Sequence, residues 1–173
     1  MNKKNRREQI LQIIQNSDAP VSASALAIQL EVSRQVIVGD IALLRASGVQ
    51  ISATPTGYVL EDIYGQSQFG YTGIIACRHL EDRLKEELYA IVDYGGTIID
   101  VTIEHSTYGQ ISGTLDISSR LDTDQFIKKL AEKQSKPLSD LTDGIHLHRI
   151  GCKDKETFDL IVKDLEDRGI ALT

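Results

Sequence analysis

One change of hydrophobic period most constrains this chain. From Asn5 to about Ala46 the apolar residues recur at helical spacing, whereas from Tyr71 onward β-branched runs alternate with helical stretches. A 173-residue chain that is 41% hydrophobic suits one large domain or two small ones, each able to bury a core. Charge divides at the same place. Residues 1–60 carry six Lys/Arg against four Asp/Glu, and residues 61–173 carry 13 against 21. The first part can approach a polyanion and the second would repel one. No apolar run approaches the roughly 18 residues of a membrane span. The charged N-terminus lacks the apolar segment of a secretory signal. A cytoplasmic protein without a membrane partner is expected. Cys77 and Cys152 form no Cys-x-x-Cys pair, so two reduced thiols are expected.

In the first part, Ile10, Leu11, Ile13 and Ile14 mark a helix ended by Ala19-Pro20. Ser22 caps a second helix carrying Leu26, Ala27 and Leu30. After a short turn at Glu31-Val32, Ser33 caps a third, running through Ile37, Ile41 and Leu44 to Gly48. Val49–Ser52 and Tyr58–Leu60 flank a hairpin turn, a wing. The spacing of Leu26-Ala27, Val32-Ser33-Arg34-Gln35, Ile37, Asp40-Ile41, Leu44-Arg45, Gly48 and Gly57-Tyr58 resembles the winged helix-turn-helix of bacterial repressors. The closest likeness is to the variant that heads biotin-repressor and deoxyribose-repressor type regulators. Such a domain reads the major groove with the start of its third helix. Ser33 and the free amides beside it suit a phosphate; Arg34 suits guanine and Gln35 adenine. Candidate DNA-contacting residues are Ser33, Arg34, Gln35, Val38, Arg45 and, in the wing, Thr54 and Thr56, with Lys3, Lys4 and Arg6 as further backbone contacts. Val38-Gly39 departs from the family pattern, in which polar or basic residues are common. A glycine inside a helix costs about 1 kcal/mol relative to alanine.

The second part reads as a strand (71–79), a helix (81–94) stopped by Gly95-Gly96, and a strand (97–105) paired as a hairpin with 110–117. A helix from Asp122 or Thr123, a strand (144–152), a helix (153–168) and a short edge strand at Ile170–Leu172 follow. The order β-α-β-β-α-β-α predicts an α+β fold: a two-layer antiparallel sheet with helices on one face. The predicted domains are 1–62 and 71–173, with 63–70 as linker.

Two of the four histidines, His146 and His148, lie two apart on a predicted strand and so share a face. That is the beginning of a divalent-metal site. His79 ends the first strand. With Leu84 set at 0° and about 100° per residue, Glu87 falls near −60°, at the edge of the helix's buried stripe, and Glu86 near 200°, toward water. A carboxylate bordering a core wants a partner. His79, Glu87, His146 and His148 therefore form a candidate three-His, one-carboxylate set suited to nickel, zinc or iron(II). The residues alone equally allow His79 as a helix cap and Glu87 paired with Arg83 or Lys85.

His79, Glu87-Leu88, Ile91–Gly96, Val101 with Glu104-His105, Tyr108-Gly109, Pro137-Leu138-Ser139, Leu141-Thr142 and Gly144–His148 resemble the 3H domain, named for its histidines. A winged helix followed by a 3H domain resembles the family of niacin-responsive repressors of NAD biosynthesis. The resemblance implies nicotinate (nicotinic acid) as co-repressor, operator DNA near NAD-synthesis or niacin-uptake genes, and a homodimer. It also implies a transition metal on the three-His, one-Glu set and a phosphocarrier-protein-like regulatory fold. His105, on a strand face with Ile99, Val101 and Ile103, is either a core-edge histidine or, with Tyr108, part of a ligand pocket. Metal-responsive repression is the alternative function. Catalysis is not expected, because the best candidate base, Asp143, reads more simply as a turn residue.

Overall fold

A computed structural model describes residues 3–60 and 68–172. The chain divides into two compact units, Met1–Gly65 and Gln66–Thr173. Most of the expected linker, 63–67, lies outside the described residues.

In the first unit, α1 (Lys3–Gln15), α2 (Ala23–Gln29) and α3 (Arg34–Ala46) precede the hairpin β1 (Ile51–Ala53) and β2 (Tyr58–Leu60). Ser22 and Ser33 cap α2 and α3 by accepting from the amides of Ala25 and Val36. Glu31 turns the chain between these helices at φ 54°. Ile10, Leu26, Ile37, Ile41 and Ile51 meet in one buried cluster. Val21 bridges to Tyr58, so the segment before α2 also anchors the wing.

The second unit holds β3 (Tyr71–Arg78), α4 (Leu84–Asp93), β4 (Thr97–His105), β5 (Gly109–Ile117), α5 (Arg120–Glu132), β6 (Ile145–Cys152) and α6 (Lys155–Asp167). The sheet order is β3-β6-β4-β5, with every neighbouring pair antiparallel. Alternation puts Ile75, Ile98, Ile117 and Ile150 inward, against Leu88 and Ile91 of α4, Ile161 and Leu165 of α6, and the partly buried Phe126, Ile127 and Leu130 of α5. Ile74 and Ile145, on the opposite face, are exposed. The helices thus form one layer, as the element order requires.

Three local readings change. Ser119, rather than Asp122 or Thr123, caps α5; its hydroxyl accepts from the Asp122 amide while the buried Thr123 hydroxyl donates back to the Ser119 carbonyl. Among the described residues, the edge segment near Ile170 makes a single isolated bridge, Cys77 to Ala171, rather than a strand. In β4 the register shifts between Ile98 and Asp100, so Ile98, not Ile99, lies inward opposite Ile150, while Val101 faces His148. A β-bulge inserts one residue and moves everything before it to the other face.

Candidate metal centre and nucleic-acid interface

The end of β3 and the start of β6 are brought together by a turn whose backbone has little freedom. A 3-10 segment, Leu138–Thr142, leads into Asp143 at φ 51° and Gly144 at φ 85°. A Cβ on Gly144 would stand 2.3 Å from the His79 carbonyl oxygen, and the His79 amide donates to the Gly144 carbonyl at 3.3 Å. Only glycine meets both demands. Asp143 is exposed, holding the left-handed turn, in line with its reading as a turn residue.

All four candidate ligands are buried: His79 is 7% exposed, Glu87 0%, His146 3% and His148 2%. The Nε2 atoms converge on one carboxylate. His79 lies 2.7 Å from Glu87 Oε2, His146 3.0 Å from Oε1, and His148 3.4 Å from Oε2. The last is an electrostatic contact without hydrogen-bond geometry, which leaves the buried His148 Nε2 with no hydrogen-bond partner. Each Nδ1 faces a backbone carbonyl: His79 that of Leu80 at 2.8 Å, His146 that of Gly144 at 2.9 Å, His148 that of Asp100 at 2.9 Å. The Asp100 carbonyl belongs to the β4 bulge, so the register shift supplies His148 with its acceptor. To be satisfied, each Nδ1 must carry a proton and donate it, which leaves Nε2 as the metal-facing nitrogen of the neutral ring.

Three lone pairs and a carboxylate aimed at one point repel one another unless positive charge joins them. Protons can supply it. Burial pushes the Glu87 carboxyl up, but the charge on His148 and hydrogen bonds from His146 and His79 outweigh burial and hold it well below the usual carboxylate range. Burial likewise pulls His79 and His148 down, and Glu87 outweighs it, so both titrate above ordinary imidazole. A divalent ion can supply the charge too. Imidazoles fixed by outer carbonyls, one carboxylate and an unpartnered Nε2 fit nickel, zinc or iron(II).

The helix-cap reading of His79 does not hold, because Leu80 is the N-cap residue of the following turn and the His79 ring faces inward. Arg83 pairs with Glu86 at 3.0 Å and Lys85 with Asp124 at 2.8 Å, which leaves Glu87 to the histidines. His105 sits half-buried at the end of β4. Its Nδ1 accepts from the amides of Thr107 and Tyr108 at 3.1 and 3.3 Å, and its ring lies 5.1 Å from that of the exposed Tyr108. The pair organises the β4–β5 turn. Among the described residues, no hydrogen bond or ring contact joins it to the four-residue cluster. Sequence reasoning passed over Cys77, whose Sγ lies with a Glu87 oxygen and a His146 nitrogen all within 4.8 Å of one another. Its signal was present: Cys77-x-His79 obeys the same two-residue alternation as His146-x-His148. Both cysteines are free and buried.

In the first unit, Arg34, Gln35 and Val38 are exposed at the start of α3, beside the capping Ser33. Gly39 is exposed, with nothing within 4 Å of an added Cβ. Arg45 braces the wing: its Nε donates to the Ile51 carbonyl at 2.8 Å and its guanidinium lies over Tyr58. Thr54 holds the wing turn, its hydroxyl accepting from the amides of Thr56 and Gly57, and Thr56 is exposed at the tip. Arg6 is committed inside the unit, 2.5 Å from the buried Asp40 of α3, and is not a free phosphate contact. The side chains of Lys3 and Lys4 lie outside the description.

The 3H domain family matches residues 72–173 and the HTH domain family residues 6–59. The chain is 42% identical over 167 residues to the probable transcription repressor NiaR of Thermotoga maritima, covering 96% of this chain and 93% of the relative. It is 42% identical over 168 residues to transcription repressor NadR of Bacillus subtilis, covering 97% and 93%. A reading helix in one unit, a buried His/Glu cluster in the other and these full-length likenesses agree: the chain belongs to the HTH–3H family of transcription repressors that includes NiaR and NadR.

Proposed function

We propose that this repressor controls genes of NAD biosynthesis and niacin uptake. It binds operator DNA as a homodimer, with nicotinate as co-repressor and one divalent transition metal on His79, Glu87, His146 and His148. The observation that carries the metal is the buried convergence of three Nε2 atoms on Glu87, the His148 nitrogen at 3.4 Å and without hydrogen-bond geometry. The chain's residues do the holding: backbone carbonyls orient the rings, Glu87 supplies negative charge, and burial excludes water. The metal would offer an open coordination position to the effector's carboxylate or ring nitrogen. The half-buried His105 and the exposed Tyr108 are the candidate contacts for the rest of that effector. Nicotinate and the homodimer rest on the resemblance to niacin-responsive repressors, and a two-fold dimer suits a palindromic operator.

The test is operator binding on the gene's own upstream DNA, with metal and nicotinate varied independently. Nicotinate is expected to tighten binding only in the metal-loaded protein. Unchanged affinity on adding nicotinate removes the co-repressor role. A graded response to metal with nicotinate absent replaces the reading with a metal sensor.

A further inference from the structure

We propose that Cys77 is a fifth protein ligand of this centre, a thiolate that sets its preference for thiophilic ions; the proposal rests on the metal reading above. The end of β3 and β6 bring together two donor pairs, Cys77 with His79, which lies one residue past Arg78, and His146 with His148. Strand alternation puts His146 and His148 on one face, and Cys77 and His79 are both buried beside Glu87. Cys77 is the direct register partner of His146, a relation that places Cβ atoms about 4.5–5.5 Å apart. The Cys77 Sγ, a Glu87 oxygen and a His146 nitrogen lie within 4.8 Å of one another, and all three residues are buried. Donors about 2.0–2.3 Å from one ion stand at most about 4.6 Å apart, so Cys77, Glu87 and His146 need little adjustment to share one ion. The buried His148 Nε2, 3.4 Å from Glu87 and without a hydrogen-bond partner among the described residues, belongs to the same cluster and is aimed into it.

Charge gives a second reason. A divalent ion facing neutral imidazoles and one carboxylate would leave a net positive charge in a buried site, which is costly. A thiolate beside Glu87 brings the centre to neutrality. On coordination the S–H bond breaks, the sulfur keeps the electron pair and donates it to the ion, and the proton leaves to solvent. No oxidation is involved. A soft sulfur donor shifts preference toward zinc, cobalt and nickel and away from magnesium and manganese.

The test uses the full-length protein, stripped of metal and titrated with cobalt(II). One cobalt per chain is expected, with visible ligand-field bands and a near-ultraviolet sulfur-to-cobalt charge-transfer band. Cys77→Ser keeps the ligand-field bands and loses the charge-transfer band. Cys152→Ser keeps both, since Cys152 is six residues from His146 along β6. Cobalt bound without the charge-transfer band, or a band that survives Cys77→Ser, overturns the proposal and leaves the histidine–glutamate site standing. No cobalt uptake by the wild type overturns both. Should Cys77→Ser fail to fold, X-ray absorption of the zinc-loaded wild type decides: a sulfur neighbour at about 2.3 Å supports the ligand, and a shell of nitrogen and oxygen alone refutes it.

Discussion

Replacing Glu87 by glutamine keeps its size and removes its charge, which tests whether the carboxylate is the electrostatic centre of the second unit. Glu87 is fully buried, with imidazole nitrogens at 2.7, 3.0 and 3.4 Å. At an effective dielectric of about 20, opposite unit charges near 3 Å attract by about 5 kcal/mol. Desolvation offsets much of that, and removing one member of a buried pair costs about 3–5 kcal/mol. With a urea slope of about 1–3 kcal/mol per molar, the midpoint of the metal-free unit is expected to fall by roughly 2 M. The sign against pH follows from the shifts. The lowered Glu87 value contributes stability above about pH 4.3 that is lost as pH falls through the depressed value. The raised His79 and His148 values contribute stability below about pH 6.5 that is lost as pH rises through them. The gap between wild type and variant is therefore widest between those limits and narrows toward alkaline pH. Tyrosine fluorescence during urea unfolding of the chelated protein reads it, since four of six tyrosines lie in the second unit. Equal midpoints near pH 5.5, or the same loss at pH 9, would refute the reasoning.

Four further outcomes follow from particular residues. His146→Ala is expected to lose bound metal by elemental analysis; full retention would remove it from the ligand set. Gly144→Ala puts a Cβ against the His79 backbone at a left-handed φ. It should destabilise the second unit by more than the roughly 1–2 kcal/mol of the backbone strain alone, read as a lower melting temperature, and release metal although no ligand is changed; a variant as stable and metal-loaded as the wild type contradicts the close approach. Gly39→Ala should stabilise the first unit by about 1 kcal/mol, because an added methyl meets nothing. It should also weaken operator binding, because that methyl faces outward beside Val38, and unchanged affinity would show that α3 is not approached there. Arg34→Ala should cost about 1–3 kcal/mol and relax specificity at one base pair; a uniform loss across sequences would reassign it to phosphate contact.

Much of the centre was legible because its signals are local. The His146-x-His148 pair needs only strand alternation, and helix angle alone separated Glu87 from Glu86. The angle underestimated Glu87, which is wholly enclosed rather than at a border, because enclosure depends on strands more than fifty residues away. Cys77 went unread for a similar reason. A lone buried cysteine is ordinary, and the Cys77-x-His79 spacing gains weight when register sets Cys77 opposite His146. Arg6 and Arg45 look like free cations in a basic segment; folding commits one to Asp40 and the other to the wing.

The sequence by itself determined the two-unit plan, the reading helix with its serine cap, and the strand–helix order of the second unit. Periodicity and capping act within a few residues and survive any tertiary arrangement. Only the tertiary structure decided where the β4 bulge falls, that its Asp100 carbonyl holds His148, and that three imidazoles meet one buried carboxylate with a thiol beside it. Strand register and enclosure are properties of pairing between distant segments, and no local pattern encodes them.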